Sequence, residues 1–202
     1  MSLWNAIPAS DLIDCREDGT LAEEVPPLPG LYLWRRRYVA SQADVLGPEE
    51  FVQWVIELCR QANARLPSTT ISHCVHTDGI RIGGGDIPQD KLRVLENISG
   101  QATKRRHLAK IVQELSAFTP PIYVGETNNL RRRLREHLDG STGLYSYVNN
   151  VLGLDWADLD FCYLNTAPKP VETANDPDEP YRQTCELIAQ RLLAPFAVKR
   201  PG

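Results

Sequence analysis

The sequence predicts an α+β fold in which helices cover the faces of a small antiparallel sheet of three strands. Three short segments, residues 31–34, 122–125 and 159–165, are rich in the apolar and aromatic residues that favour strands. Longer segments carry apolar residues at the three- and four-residue spacing that is typical of helices. The apolar side of such helices has to be buried, and we expect it to lie against the sheet.

Residues 1–28 are predicted to form an N-terminal arm that leads into the first strand. Residues 1–28 end in a proline-rich stretch, part of VPPLPG, and prolines favour extended backbone over helix. The first strand is predicted over residues 31–34. It is followed directly by three consecutive bases, Arg35, Arg36 and Arg37.

A helix, a hairpin and a second helical stretch are predicted between the first two strands. Residues 48–66 open with a proline and two glutamates, which favour the start of a helix, and then repeat apolar residues at helical spacing. The dipeptide Asp78-Gly79 between two strand-like segments favours a type I′ hairpin turn. Residues 88–118 are predicted to be helical, with a break near Ser99-Gly100. The second half of this stretch is predicted to bury Leu108, Ile111, Val112 and Leu115.

After the second strand the sequence predicts a helix, a short helical stretch, the third strand and a last helix. In the first of these helices, Leu130, Leu134 and Leu138 repeat every four residues and must face the core. The last helix covers residues 181–194 and is stopped by a proline. Its buried face is predicted to consist of Tyr181, Cys185, Ile188, Ala189 and Leu192, with Glu186 at the margin.

The composition excludes several classes of protein. The 202 residues are 42% hydrophobic and 24% charged, which is the balance of a globular protein that can bury a core. No apolar run approaches the ~20 residues that span a bilayer, and the N-terminus lacks the basic and apolar regions of a secretory signal. Five scattered cysteines without a C-x-x-C pair indicate reduced thiols, so a cytoplasmic protein is expected.

Charge is divided unevenly along the chain. Residues 1–29 hold six acids and one base, residues 30–137 hold sixteen bases and eleven acids, and residues 138–202 hold five bases and nine acids. These segments carry net charges of −5, +5 and −4, which add to the −4 of the whole chain. A basic middle can bind phosphate although the molecule is acidic, but solvated helix faces would give the same pattern.

Two strand segments, Pro29–Tyr32 and Ile122–Gly125, each combine a glycine with a tyrosine, and Arg133 and His137 follow on one shoulder of the next helix. With Glu186 on the last helix, this pattern resembles the signature of the GIY-YIG nuclease superfamily. The resemblance covers residues 29–33 and 121–198, and the third strand and last helix are similar to those of the small restriction endonucleases. It implies a GIY-YIG-like core of residues 29–37 and 121–202, with residues 38–120 as an inserted helix–hairpin–helix subdomain.

The resemblance also implies an endonuclease that hydrolyses DNA phosphodiester bonds with Mg²⁺ or Mn²⁺. The catalytic residues that it implies are Tyr32, Tyr123, Arg133, His137 and Glu186. In this scheme a water activated by the metal or by a tyrosine attacks the phosphodiester, and nearby cations are expected to lower the pKa of the tyrosine. Arg133 stabilises charge, His137 transfers or orients a proton, and Glu186 holds the metal. Arg132 and Glu136 are expected to face outward.

Phosphate contacts are expected from basic residues outside this catalytic set. The expected nucleic-acid-binding residues are Arg35, Arg36, Arg37, Lys104, Arg105, Arg106, Lys110 and Arg131. DNA is therefore the expected partner, no membrane is expected, and a homodimer is one expected assembly. Restriction or defence against phage is the expected setting, by analogy alone.

Three departures from the family pattern leave a second interpretation open. About 90 residues separate the two tyrosine strands, Val198 stands where the family commonly has an asparagine, and Glu126 stands where many relatives have lysine or a small polar residue. Glu126 is expected to be either a second metal ligand or a repulsive neighbour of phosphate. The alternative function is a degenerate domain that binds nucleic acid or a protein partner without cutting.

Overall fold

The computed structural model describes residues 4–18, 20, 24–64, 87–166 and 178–193. The chain divides into two compact units. The first consists of Met1–Arg37 and Leu115–Gly202, and the second of Tyr38–Glu114. The described residues form eight α-helices: α1 Ala9–Asp18, α2 Gln42–Leu46, α3 Pro48–Ala64, α4 Gln89–Ser99, α5 Ala102–Leu115, α6 Leu130–Leu138, α7 Gly143–Ser146 and α8 Glu179–Leu193.

The first unit contains an antiparallel sheet of four strands, so the fold is α+β. The strands are β1 Asn5–Pro8, β2 Gly30–Arg36, β3 Tyr123–Thr127 and β4 Leu159–Asn165, in the order β1-β4-β2-β3. The prediction of three strands and an extended arm is wrong for residues 5–18. Residues 5–8 pair with β4, and residues 9–18 form α1. The helical residues of α1 pack against β1 and β4.

Strand β2 lies between β3 and β4, and its register decides which side chains share a face of the sheet. Tyr32 is opposite both Gly125 and Tyr163, and Trp34 is opposite Tyr123 and Phe161. Opposed residues lie on one face, because side chains alternate along a strand. This face forms the main core with the leucines of α6. Several side chains on this face are aromatic, and the burial of their rings contributes much of the hydrophobic stabilisation of a core.

Two tryptophans pack against each other in this core. The rings of Trp34 and Trp156 meet edge to face, with centroids 4.7 Å apart. Both indole nitrogens are buried without a hydrogen-bond acceptor, and edge-to-face packing places the positive edge of one ring against the negative face of the other. Trp156 belongs to a 3₁₀ turn, Trp156–Asp158, that directly precedes β4.

Helix α8 packs against β2 and β3, but with a different face from the one predicted. Arg182 and Glu186 are its buried residues. Tyr181, Ile188 and Leu192, which the apolar spacing predicted to be buried, are exposed. The predicted phase of this helix is therefore wrong, since its polar side turns toward the sheet.

The second unit has its own smaller core around Phe51, Val52 and Leu95. Helices α3, α4 and α5 lie within the helical stretches predicted for residues 48–66 and 88–118, and the break falls at Gly100. The predicted hairpin at Asp78-Gly79 lies outside the described residues. Of the stripe predicted on α5, Leu108 packs against the core, whereas two other members, Ile111 and Leu115, are exposed.

Arg105 of α5 is buried in the second unit, so the prediction that it contacts phosphate is wrong. Its guanidinium donates hydrogen bonds to the carbonyl oxygens of Val45, Leu46 and Ser99. These bonds tie α5 to the end of α2 and to the end of α4. The guanidinium of Arg105 therefore donates its hydrogen bonds to three backbone carbonyl groups and not to a phosphate.

No helix of the described residues is long and apolar enough to cross a membrane.

Candidate active site

The hydroxyl group of Tyr32 is the centre of a hydrogen-bonded cluster in the first unit. Arg133 Nε donates a hydrogen bond to Tyr32 Oη over 3.0 Å. His137 Nε2 lies 3.0 Å from the same oxygen. Tyr32 comes from the central strand β2, whereas the other two residues come from α6. Three predicted site residues thus meet, although Tyr32 and Arg133 are 101 positions apart in sequence.

The start of α6 is what places Arg133 and His137 over Tyr32. Asn129 caps the helix, because its side chain accepts a hydrogen bond from the backbone nitrogen of Arg132. Leu130 and Leu134 then lie fully buried in the core. Arg133 and His137 are one turn apart beside this apolar stripe, so both reach the tyrosine.

His137 is almost completely buried and is held at both ring nitrogens. Its Nδ1 atom lies 2.8 Å from Oγ1 of Thr142, the residue just before α7. Burial lowers the pKa of His137 from 6.5 to about 3, and the neighbouring Arg133 acts in the same direction. His137 is therefore a neutral imidazole at pH 7, with one nitrogen protonated and the other free to accept a proton.

The pKa of Tyr32 is raised far above its usual value of 10, although the charge of Arg133 lowers it, as predicted. Burial is the largest cause, and Tyr123 adds to it. The charge of Arg133 acts in the opposite direction but is the weaker effect. Tyr32 is consequently a protonated phenol at neutral pH and cannot act as a preformed phenolate base.

Gly125 allows the Tyr32 ring to lie across β3. A Cβ atom at Gly125 would be 2.6 Å from Tyr32 Oη and 2.8 Å from Cε1 of Tyr123. The rings of Tyr32 and Tyr123 have their centroids 5.9 Å apart. Tyr123 therefore belongs to the same aromatic cluster, and any side chain at residue 125 would displace it or Tyr32.

Arg133 also forms an ion pair that the sequence did not predict. Its Nη1 atom is 2.9 Å from Oε2 of Glu136, and Nη1 of Arg132 is 2.5 Å from the other carboxylate oxygen. Glu136 thus bridges the two arginines instead of facing outward. Because the Arg133 side chain is still 30% exposed, its guanidinium lies at the boundary between the buried cluster and solvent.

Glu186 is held by a residue one turn later on its own helix. It is buried on α8, where Gln190 Nε2 donates a hydrogen bond to its Oε1 over 3.0 Å. The same Gln190 nitrogen lies 3.5 Å from the carbonyl oxygen of Val124, between Tyr123 and Gly125. Gln190 thereby connects Glu186 to the strand that carries the second tyrosine.

Glu126 pairs with an arginine of α8. Arg182 Nε is 3.3 Å from Oε2 of Glu126, and Arg182 is 2% exposed. Arg182 also precedes Glu186 by one helical turn, so the two buried residues share a face of α8. The charge of Glu126 is therefore partly balanced by Arg182. Val198, which also departs from the family pattern, lies outside the described residues.

The described residues can be tested for a set of side chains that fits a metal ion. No group of three or more histidine, cysteine, aspartate or glutamate side chains that could hold a metal ion is formed by the described residues. Mg²⁺ can nevertheless be held by one or two carboxylates together with substrate phosphate and water. Glu186 can serve in this way, because its carboxylate is buried and is oriented by a hydrogen bond from Gln190.

Apart from the buried Arg105, the basic residues predicted to bind nucleic acid fall into two groups. Arg35 and Arg37 pair with Asp160 of β4, and Arg131 donates a hydrogen bond to the carbonyl oxygen of Val25. Arg36 is half-buried on β2. The remaining three are exposed on α5 and form what we call the α5 basic face: Lys104, Arg106 and Lys110.

Thr142, Gln190 and Arg182 were not predicted as site residues. Gln190 and Arg182 lie four residues after and before Glu186, so helical spacing could have placed them beside it. Thr142 lies in the connection between α6 and α7, and no local pattern indicates its contact with His137.

Comparison of the chain with protein family models, with curated proteins and with solved structures gave no match in any of the three.

Proposed function

We propose that the chain is a divalent-metal-dependent endonuclease that hydrolyses DNA phosphodiester bonds. The observation that carries the proposal is the convergence of Tyr32 Oη, Arg133 Nε and His137 Nε2 within 3.0 Å. A phenol held between a permanent cation and a neutral imidazole can pass a proton while a neighbouring anion is stabilised. The resemblance to the GIY-YIG nucleases supports the same roles for these three residues.

Arg133 would bind the phosphodiester and stabilise its transition state. The Arg133 side chain is partly exposed, so its guanidinium can contact a phosphate while Nε keeps its hydrogen bond to Tyr32 Oη. A planar guanidinium offers several donors to phosphate oxygens, and its electrostatic effect is stronger where water is excluded. Glu136 holds the guanidinium in this orientation through Nη1.

Tyr32 would act as a proton carrier and not as a preformed base. Its oxygen takes a proton from the attacking water, while its own hydroxyl proton passes to His137 Nε2. The O–H bond of water breaks as the new O–P bond forms, and the P–O bond to the leaving oxygen breaks. Protonating His137 at pH 7 costs roughly 5 kcal/mol in the free protein, because its pKa is about 3. The negative charge of a bound phosphate beside Arg133 would offset part of this cost.

Glu186 would hold the Mg²⁺ or Mn²⁺ ion. Bound there, the metal would supply positive charge that neutralises the phosphodiester and steadies the leaving oxygen. Gln190 would orient the carboxylate, since it holds Oε1 and lies against the backbone of β3. Hydrogen bonds to the ligand side chain commonly tune metal sites in this manner.

Plasmid nicking tests the proposal. Supercoiled plasmid is incubated with the protein and Mg²⁺ or Mn²⁺, and EDTA serves as the negative control. We expect metal-dependent conversion to relaxed or linear DNA, and we expect Glu186→Gln to abolish it. Glutamine is nearly isosteric with glutamate, so circular dichroism should show an unchanged fold.

Two results would contradict the proposal. One is the absence of cleavage of double-stranded and single-stranded DNA at every metal and pH tried, with folded protein. The other is cleavage by Glu186→Gln at a rate close to that of wild type, which would remove Glu186 as the metal ligand.

A degenerate domain that binds DNA or a protein partner without cutting is the second candidate. It is favoured by the raised pKa of Tyr32, which keeps the phenol protonated at neutral pH. Under this alternative, folded protein retards duplex DNA in a gel but leaves plasmid intact with Mg²⁺ and with Mn²⁺. A setting in restriction or phage defence, and a homodimer, belong to the first proposal as analogies and are not required by it.

A further inference from the structure

A chain of three hydrogen bonds runs through the candidate site from solvent-facing Arg133 to Thr142. Arg133 Nε donates to Tyr32 Oη, His137 Nε2 shares a hydrogen bond with that oxygen, and His137 Nδ1 shares one with Thr142 Oγ1. Tyr32 and His137 are buried in the substrate-free protein, so protein groups and not bulk water hold the phenol and the imidazole in place.

The direction of this chain depends on which nitrogen of His137 carries the proton. If Nδ1 is protonated, it donates to Thr142 Oγ1, and Nε2 is free to accept the hydroxyl proton of Tyr32. If Nε2 is protonated, it donates to Tyr32 Oη, and Tyr32 cannot pass its own proton to the imidazole. Only the first tautomer permits the proton transfer in the proposed reaction.

We infer that Thr142 is a positioning residue that selects this first tautomer by accepting the Nδ1 proton of His137. The inference rests on the proposed endonuclease function and assigns a role to a residue that the sequence did not indicate.

The local structure of Thr142 supports the inference independently of His137. Thr142 is the residue just before α7, with extended backbone of φ −119° and ψ 150°. In this position a threonine side chain commonly caps the helix, with a stabilisation of ~1 kcal/mol. Here it makes no capping hydrogen bond, and its oxygen lies 2.8 Å from His137 Nδ1 instead. The hydroxyl is thus committed to the imidazole and not to the helix.

The other groups around His137 are compatible with a neutral ring. Tyr32 approaches it from β2, Tyr123 from β3 with ring centroids 6.0 Å apart, and Trp34 edge-on from β2. Arg133 is the charged neighbour on its own helix, and it disfavours a second proton on the ring. A neutral imidazole must place its single proton on one nitrogen, and Thr142 is the hydroxyl that meets Nδ1.

The test uses Thr142→Val, which removes the hydroxyl and keeps the shape, and Thr142→Ser, which keeps the hydroxyl. Thr119→Val is the matched control, because Thr119 is also half-buried and donates its hydroxyl hydrogen bond to Ser116 O in a different part of the unit. Nitrogen-15 NMR of the imidazole of His137 reports its tautomer in the full-length protein without substrate. Rates of plasmid cleavage are then measured against pH and against DNA concentration.

We expect wild type, Thr142→Ser and Thr119→Val to show the Nδ1-protonated tautomer, and Thr142→Val to show a mixture or the Nε2-protonated form. We expect kcat of Thr142→Val to fall on the order of 10–100-fold, as for other residues that orient a functional histidine, with KM close to wild type. Circular dichroism checks that each variant is folded.

The outcomes separate this inference from the proposed function. An Nε2-protonated His137 in wild type, or unchanged tautomer and kcat in folded Thr142→Val, overturns the role of Thr142 while cleavage by wild type stands. Conversely, a tautomer that follows Thr142 in a protein that does not cut DNA supports the positioning role and contradicts the endonuclease.

Discussion

Replacing Gly125 by alanine should inactivate the candidate site more than it destabilises the fold. The added Cβ would lie 2.6 Å from Tyr32 Oη and 2.7 Å from Cζ of the same ring. The phenol must retreat by about 0.8 Å to reach the 3.4 Å at which ordinary contact begins. A retreat of this size disturbs both 3.0 Å hydrogen bonds of Tyr32 Oη, to Arg133 and to His137.

The expected stability loss follows from the cost of overpacking. Inserting one methyl group into a close-packed core typically costs about 1–3 kcal/mol. For a chain of this size each kcal/mol lowers Tm by roughly 2–4 °C. A misplacement near 1 Å at a reacting group can by itself reduce the rate by about 10²-fold. We therefore expect folded Gly125→Ala at 25 °C with plasmid cleavage reduced by about that factor.

Gly30→Ala is the matched control, because it places a methyl group in the same sheet but away from the tyrosine hydroxyls. Its Cβ would lie 2.5 Å from the carbonyl oxygen of Leu164 and 2.8 Å from Leu130 Cδ1. We expect a loss of thermal stability at least as large, since a backbone oxygen must move, but activity per folded molecule near that of wild type. Calorimetry and plasmid nicking on both variants give the two quantities. Equal loss of activity in the two variants, or wild-type activity in Gly125→Ala, would refute the reasoning.

Four further outcomes are expected. Arg133→Ala should reduce cleavage on the order of 10²–10³-fold, as for removal of a group that stabilises charge in the transition state. Arg132→Ala should change the rate of cleavage little, because the ion pair of Arg132 is largely exposed. Comparable reductions in the two variants would place the site elsewhere. Replacing the three residues of the α5 basic face together by alanine should weaken DNA binding. The slope of the logarithm of the DNA-binding constant against the logarithm of the salt concentration should decrease by roughly 0.9 for each phosphate that the variant no longer neutralises. An unchanged slope would show that this face is only solvated. Arg105→Ala should destabilise the second unit by about 3 kcal/mol or more, because three carbonyl oxygens lose their donor, and chemical denaturation measures it. Between pH 6.5 and about 3 the unfolded state binds a proton at His137 that the folded state does not. Stability should therefore fall as the pH is lowered through this window, with a slope that approaches about 1.4 kcal/mol per pH unit below pH 6; His137→Asn should remove this part of the slope.

The spacing of apolar residues correctly predicted the helices and strands that bury an apolar face of their own. The strand of residues 159–165 and the leucine stripe of α6 lie where they were predicted, because each buries an apolar pattern of matching period. Strand β1 was missed, since four residues carry too little pattern, and their pairing with β4 depends on residues more than 150 positions later.

The errors at the site have a common physical cause, which is that buried polar groups depend on partners distant in sequence. The apolar spacing of α8 predicted the wrong face, because Arg182 is stabilised inside by Glu126 and Glu186 is bonded to Gln190 against β3. The charge state of Tyr32 was predicted from nearby cations, whereas its depth in the core decides it. Neither depth nor distant pairing is visible in a local pattern.

The strand order has a consequence for synthesis of the protein on the ribosome. Strands β1 and β2 both pair with β4, and β2 also pairs with β3. The two N-terminal strands therefore cannot pair until these later strands have been synthesised. Tyr32 and Arg133 are separated by 101 positions, which take roughly 5–20 s to translate at 5–20 residues per second. During this interval the backbone of β2 is an unsatisfied strand edge, the kind of surface that recruits other chains. Nascent protein is therefore expected to depend on chaperones at the N-terminal strands, and the candidate site can be assembled only after most of the chain has left the ribosome.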